Sequence, residues 1–249
     1  MTMSDSMQKK SGGGERLVKF LAAAGLCSRR KAGDLVKSGA VACNGTTELD
    51  PSRKIGPADQ VTVNGEPVAP PPAFRYILLH KPRGYVCTNA DPHASRKAVE
   101  LIGVPERLFS AGRLDKDSEG LLLFSNDGDY VAQLTHPRHE ILKEYEVSTS
   151  PPLSAGALQR IRSGIRDDGE LLSVRSVSEL RPGHYRFVLN EGKKREIRRL
   201  VAAVGSSTLR LKRVACGGLK LGNLKCGAWR ELSAEEVALT LLPGEAIRR

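Results

Sequence analysis

Residues 111–128 read AGRLDKDSEGLLLFSNDG, and no other stretch constrains the fold as much. Leu121, Leu122, Leu123 and Phe124 form an unbroken apolar run ahead of the polar turn Ser125-Asn126-Asp127-Gly128. A run this short, closed by turn residues, predicts a buried strand. Gly112 and Gly120 bracket the residues before it, with Asp115 at their centre between Arg113 and Lys116. A carboxylate in a glycine-bounded loop entering a buried strand is expected at the floor of a cleft. The Arg113 cation favours its ionised form. An ionised, fixed carboxylate can act as nucleophile or base. An isolated Arg-x-Asp is more often a solvated surface pair, so the assignment needs the wider pattern.

Charge narrows the partners. Lys and Arg number 39 against 28 Asp and Glu, a net charge of +11. That excess favours a polyanion, with nucleic acid first. An anionic membrane is disfavoured, because no helix with a Trp/Phe-rich apolar face is evident. No apolar run approaches the roughly 20 residues needed to span a bilayer, and the first fourteen residues lack the apolar core of a secretion signal. Five cysteines without a C-x-x-C spacing predict reduced thiols in a cytosol. The five histidines show no metal-ligand spacing, so no metal site is expected.

Composition and periodicity divide the chain. Residues 1–14 are rich in Ser, Gly and Lys and are expected to be a disordered arm. Residues 15–68 read as a small module. Leu17, Phe20, Leu21 and Ala24 share a helical face. Ser28 can cap a second helix whose first turn holds Arg29, Arg30 and Lys31. Cations there oppose the helix dipole, which points to a compensating phosphate. Asn44-Gly45 and Asn64-Gly65 predict hairpin turns. Ala69–Ala73 (APPPA) is a proline linker, and residues 74–249 form the larger domain. There, Tyr76–His80 reads as a strand stopped by Lys81-Pro82-Arg83-Gly84, and Asp91–Lys97 as a loop. Lys143–Val147, Leu171–Leu180, His184–Leu189 and Thr208–Val214 read as further strands. Helices are expected near 129–134, 154–161 and 197–204. The last helix, with Ser233 and Glu236, carries a capping-box pattern. Residues 191–199 carry five cations in nine positions, the strongest phosphate-facing candidate of this domain.

Together these strings resemble a known family. GRLD, SEGLLL and NDG resemble the catalytic motif of pseudouridine synthases, in the bacterial ribosomal branch typified by RsuA, RluB and RluF. Ser118 and Ser125 stand where that motif usually has Thr. Lys143-Glu144-Tyr145 is similar to its Lys-x-Tyr motif, and LNEGKKREIRRL (189–200) to its third motif. RLVKFLAAAGLCSRRKAGDLVKSGAVACNG (16–45) resembles the S-four-type RNA-binding domain. The resemblance covers residues 15–242.

It implies an α+β architecture, with a small helical and β RNA-binding domain linked to a larger domain built on a central, mainly antiparallel mixed sheet. It implies Asp115 as the catalytic carboxylate, Arg198 paired with it, Tyr145 against the base and assisting proton transfer, and Arg113 holding the nucleotide out of its helix. Ile197 and Leu189 would line the base pocket, and Lys143, Lys193, Lys194, Arg195 and Arg199 would contact the substrate. Ser28, Arg29, Arg30, Lys31 and Lys37 would face RNA, as phosphate contacts that position without reading sequence. The implied reaction isomerises uridine in ribosomal RNA, 23S favoured over 16S, with no cofactor or metal, by a monomer in the bacterial cytoplasm. Two rival readings remain at this point: a non-catalytic RNA-binding assembly factor, and a carboxylate-based glycosidase, which would need a second carboxyl partner.

Overall fold

The computed structural model describes residues 14–69, 73–88 and 96–243. The expected N-terminal arm, the prolines of the linker and most of the Asp91–Lys97 loop lie outside these. The chain divides into two compact units, Met1–Phe74 and Arg75–Arg249.

In the first unit, helices Leu17–Ala23 and Arg29–Lys37 pack through Leu17, Leu21, Ala32 and Val36 onto strands Val41–Cys43 and Val61–Val63. Ser28 Oγ accepts from the Lys31 backbone N–H at 3.3 Å, so the predicted cap is formed. Asn44 (φ 53°) and Gly45 (φ 77°) both take the left-handed conformation that a tight hairpin turn requires.

The second unit is built on a nine-stranded sheet. Its main path runs Ser176–Arg181, His184–Leu189, Lys143–Ser150, Ser207–Cys216, Glu119–Ser125, Tyr76–Lys81 and Trp229–Glu231. Neighbours are antiparallel except at one junction, where Lys212 and Arg213 pair in parallel with Glu119 and Gly120. Both faces of Glu119–Ser125 are covered, which explains why its sequence is continuously apolar rather than alternating. Leu122 and Phe124 join one cluster with Leu158, Ile161, Leu200 and Val201, from helices Ala155–Ser163 and Glu196–Ala203. Leu121 and Leu123 join another with Tyr130, Leu134 and Val237, from helices Gly128–Thr135 and Ala234–Thr240. Burying each of these side chains contributes roughly 1.5–3 kcal/mol. The capping box at Ser233 and Glu236 is present.

The expected strand Leu171–Leu180 is corrected. Glu170–Leu172 turns back on Ile165–Asp167 as a hairpin, and only Ser176–Arg181 enters the main sheet. The break falls where the Ser173 N–H leaves strand pairing and donates to the Glu196 carboxylate at 3.3 Å.

Candidate active site

The loop between Ala111 and Glu119 is fixed by its own backbone. Ser118 N–H donates to the Asp115 carbonyl at 3.0 Å, closing a tight turn. The Lys81 ammonium, 0% exposed, donates to the carbonyls of Ser118 (2.7 Å), Pro82 (3.0 Å) and Asp115 (3.1 Å). Gly84 N–H donates to the Lys116 carbonyl at 2.7 Å. Cys87 Sγ both accepts from Leu114 N–H and donates to the Leu114 carbonyl, each at 3.3 Å. The Lys81-Pro82-Arg83-Gly84 segment is therefore more than a strand terminator, since it anchors the loop. Lys81→Met would leave three carbonyls without their donor, and urea denaturation should show a loss of about 2–4 kcal/mol. Activity should fall on the order of 10²-fold through misplacement of the loop.

The loop borders a cavity of about 540 Å³. Asp115 is half-buried on its wall, and Arg113 and Lys116 are exposed at its edge. Tyr145, Leu189, Ile197 and Leu211 supply an apolar side, with Tyr145 9% exposed. Lys193, Lys194 and Arg195, leading into the Glu196–Ala203 helix, add cations. Tyr145, Leu189 and Leu211 come from three neighbouring strands, so strand pairing alone brings them together.

Three carboxylates alternate along the loop, and two are engaged. Asp117 pairs with Arg195 at 3.2 Å, and Glu119 with Arg210 at 2.6 Å. Burial works to raise the Asp117 pKa, but the bond from Arg195 and the Arg198 charge outweigh it and hold the carboxyl below its ordinary range. Asp115 makes no ion pair among the described residues.

Arg198 does not pair directly with Asp115, unlike the expectation. Its guanidinium donates to the Asp117 carbonyl (3.1 Å), Ser118 Oγ (3.4 Å) and the Thr208 carbonyl (3.4 Å). Those oxygens hold it beside the loop while it faces the cavity. Its buried Nε has no partner among the described residues. Burial lowers the Arg198 pKa, opposed by the Asp117 and Asp115 charges, so the two residues still interact electrostatically.

Two of the expected substrate contacts lie off the cavity wall. Arg199 binds Asp167 (2.5 Å) and Glu170 (2.6 Å), clamping the Ile165–Leu172 hairpin rather than lining the cavity. Successive helical residues point about 100° apart, so Arg198 and Arg199 serve different neighbours. Lys143 also stays off the cavity wall, where burial lowers its pKa. Glu196 is buried and accepts from Lys193 N–H at 2.9 Å as well as from Ser173, which ties the cationic segment to the helix start. In the N-terminal unit Arg29, Arg30, Lys31 and Lys37 are exposed on one helix. Lys81, Cys87 and Arg213 escaped the sequence reading. Only Lys81 left a signal, a lysine ending an apolar strand just before proline.

Comparison with known proteins identifies the family. The model of RNA pseudouridylate synthase matches residues 75–203, and the S4 domain model matches residues 15–61. The chain is 35% identical to the ribosomal large subunit pseudouridine synthase B of Bacillus subtilis, over 90% of this chain and 94% of that one. It is 32% identical to the ribosomal small subunit pseudouridine synthase A of Escherichia coli, over 90% of this chain and 98% of that one. Among solved structures, a crystal structure of a pseudouridylate synthase superposes with a TM-score of 0.67 at 28% identity, covering 91% of this chain and 99% of that one. The match over residues 75–203, together with these relatives, places this chain, which also carries an S4 domain, in the RNA pseudouridylate synthase family.

Proposed function

We propose that the protein isomerises a uridine of ribosomal RNA to pseudouridine, in 23S rather than 16S RNA, with Asp115 as the catalytic carboxylate. The observation that carries this reading is the contrast among the loop carboxylates. Asp117 and Glu119 are bound in ion pairs, while Asp115, on an immobilised backbone, faces the cavity without one among the described residues. The same contrast disfavours a glycosidase, which needs two available carboxyl groups.

The chemistry breaks the N1–C1′ bond, turns the uracil and joins C5 to C1′. The base must first leave its stack, and a cavity of about 540 Å³ lies within the usual range for ligand sites, roughly 300–1,000 Å³. Tyr145 stacks on the uracil between Leu189 and Ile197, a contact worth on the order of 1–3 kcal/mol. Asp115 attacks or deprotonates at the ribose side. Arg198 holds its positive charge against the loop that carries Asp115, and Arg113 holds the displaced nucleotide. Lys193, Lys194 and Arg195 take flanking phosphates, and Ser28, Arg29, Arg30, Lys31 and Lys37 contact RNA phosphates through the N-terminal unit. A single chain does this work in the cytoplasm. The preference for 23S RNA rests on the Ser-Arg-Arg module and the Lys-Lys-Arg segment, which look closer to the large-subunit enzymes.

Pseudouridine mapping of 23S and 16S RNA, from cells with and without the protein, tests the proposal. One site in 23S RNA should depend on the protein. A dependent site only in 16S RNA would reverse the subunit assignment, and no dependent site in either would end the reading.

A further inference from the structure

Behind Tyr145 lies a buried arginine that no motif assigned. Arg213 is 4% exposed and sits directly across the strand pair from Tyr145. The register shifts between Glu144 and Tyr145, and this bulge sets Arg213 opposite the tyrosine. Bulges near active sites commonly re-aim a side chain in this way. Arg213 Nε donates to the Leu121 carbonyl at 2.6 Å. No carboxylate pairs with it among the described residues. A buried guanidinium without a counter-charge is costly, and such departures from stable design cluster at functional sites.

We propose that Arg213 is a positioning residue for the isomerisation: from behind the cavity wall it fixes Tyr145 and stabilises negative charge on the Tyr145 oxygen while a proton leaves C5 of the uracil. This rests on the pseudouridine synthase reading above. Once C5 is bonded to C1′, that carbon still carries its original hydrogen. The Tyr145 phenolate takes this proton, the C–H electron pair returns to the ring, and N1, freed from the sugar, gains a proton from water. No oxidant or reductant is needed.

The groups facing Tyr145 set the balance. Burial holds its phenol above the ordinary range, Arg213 draws it down through its charge, and Cys216 on the Arg213 strand and Glu196 on the neighbouring helix push it up. Of these groups Arg213 is the cation.

The test is a double-mutant cycle of Arg213→Gln and Tyr145→Phe, assayed on an RNA stem-loop carrying the target uridine. Arg213→Gln alone should lower kcat on the order of 10²-fold with KM within about twofold. The rising limb of its kcat–pH profile should move to higher pH, because loss of the cation disfavours the phenolate. Arg213→Lys keeps the charge and should recover most of the rate. In the Tyr145→Phe background, Arg213→Gln should add little further loss. Equal losses in both backgrounds would overturn the proposal, as would a wild-type kcat for Arg213→Gln. Should Arg213→Gln fail to fold, Arg213→Lys in the same cycle decides, since its smaller loss must also vanish with Tyr145→Phe. If the unaltered protein forms no pseudouridine while binding RNA, the parent reading fails. If it is active and the cycle is additive, only the role of Arg213 falls.

Discussion

Asp115→Asn should slow pseudouridine formation by at least ~10³-fold while leaving the protein folded and able to bind RNA. The substitution keeps the shape of the side chain and removes its charge and nucleophilicity. Little stability is at stake, because Asp115 makes no ion pair among the described residues, and the loop is held through backbone atoms instead. The change in unfolding free energy should stay within about 0.5 kcal/mol, as for other substitutions that break no buried network. RNA affinity should hold or rise slightly, since a carboxylate near phosphates is repulsive. Release of tritium from RNA labelled at C5 of uridine measures the rate, and filter binding the affinity. A variant that turns over at the wild-type rate would remove Asp115 from the chemistry whatever the fold.

Gly120→Ala should be the most damaging single methyl group in the larger unit. Gly120 has φ +110°, a conformation that residues with a Cβ rarely adopt. A Cβ built there would lie 2.2 Å from the Arg213 carbonyl oxygen, 2.6 Å from its nitrogen and 2.9 Å from its carbonyl carbon. These are backbone atoms of the parallel pair at the centre of the sheet, and they cannot swing away as a side-chain tip would. Strain and overpacking together should cost ~3 kcal/mol or more. That corresponds to a fall in Tm of roughly 6–12 °C for a protein of this size. Gly112→Ala is the control. Its φ of +83° is also left-handed, but nothing lies within 4 Å of the added carbon, so only the conformational cost of about 1–2 kcal/mol should appear. Comparable melting shifts for the two variants would show that the contact with Arg213 is not tight.

The residues that could be read in advance share a property: each is fixed by its immediate neighbours. Leu121–Phe124 had to be buried wherever the sheet formed. Ser28 and Ser233 cap helices because the amides they accept from follow three residues later. Asn44-Gly45 turns because both residues tolerate positive φ. Positions that local pattern does not tell apart share the opposite property. Arg198 and Arg199 look equivalent in sequence, yet one meets the Asp115 loop and the other a hairpin. Lys143 and Tyr145 look like partners on one strand, but a bulge lies between them in the pairing with the Arg213 strand.

A basic module, a carboxylate loop running into a buried strand and a cationic helix start are all written in local pattern, because periodicity, capping and turn chemistry act over a few residues. Tertiary structure alone decided which carboxylate stays unpaired and which cation stands where. Lys81, Cys87 and Arg198 reach the loop from 34, 27 and 80 residues away. Contacts at that separation form only when the sheet closes the intervening chain, and their geometry is set by strand register and bulges that leave no local pattern to read.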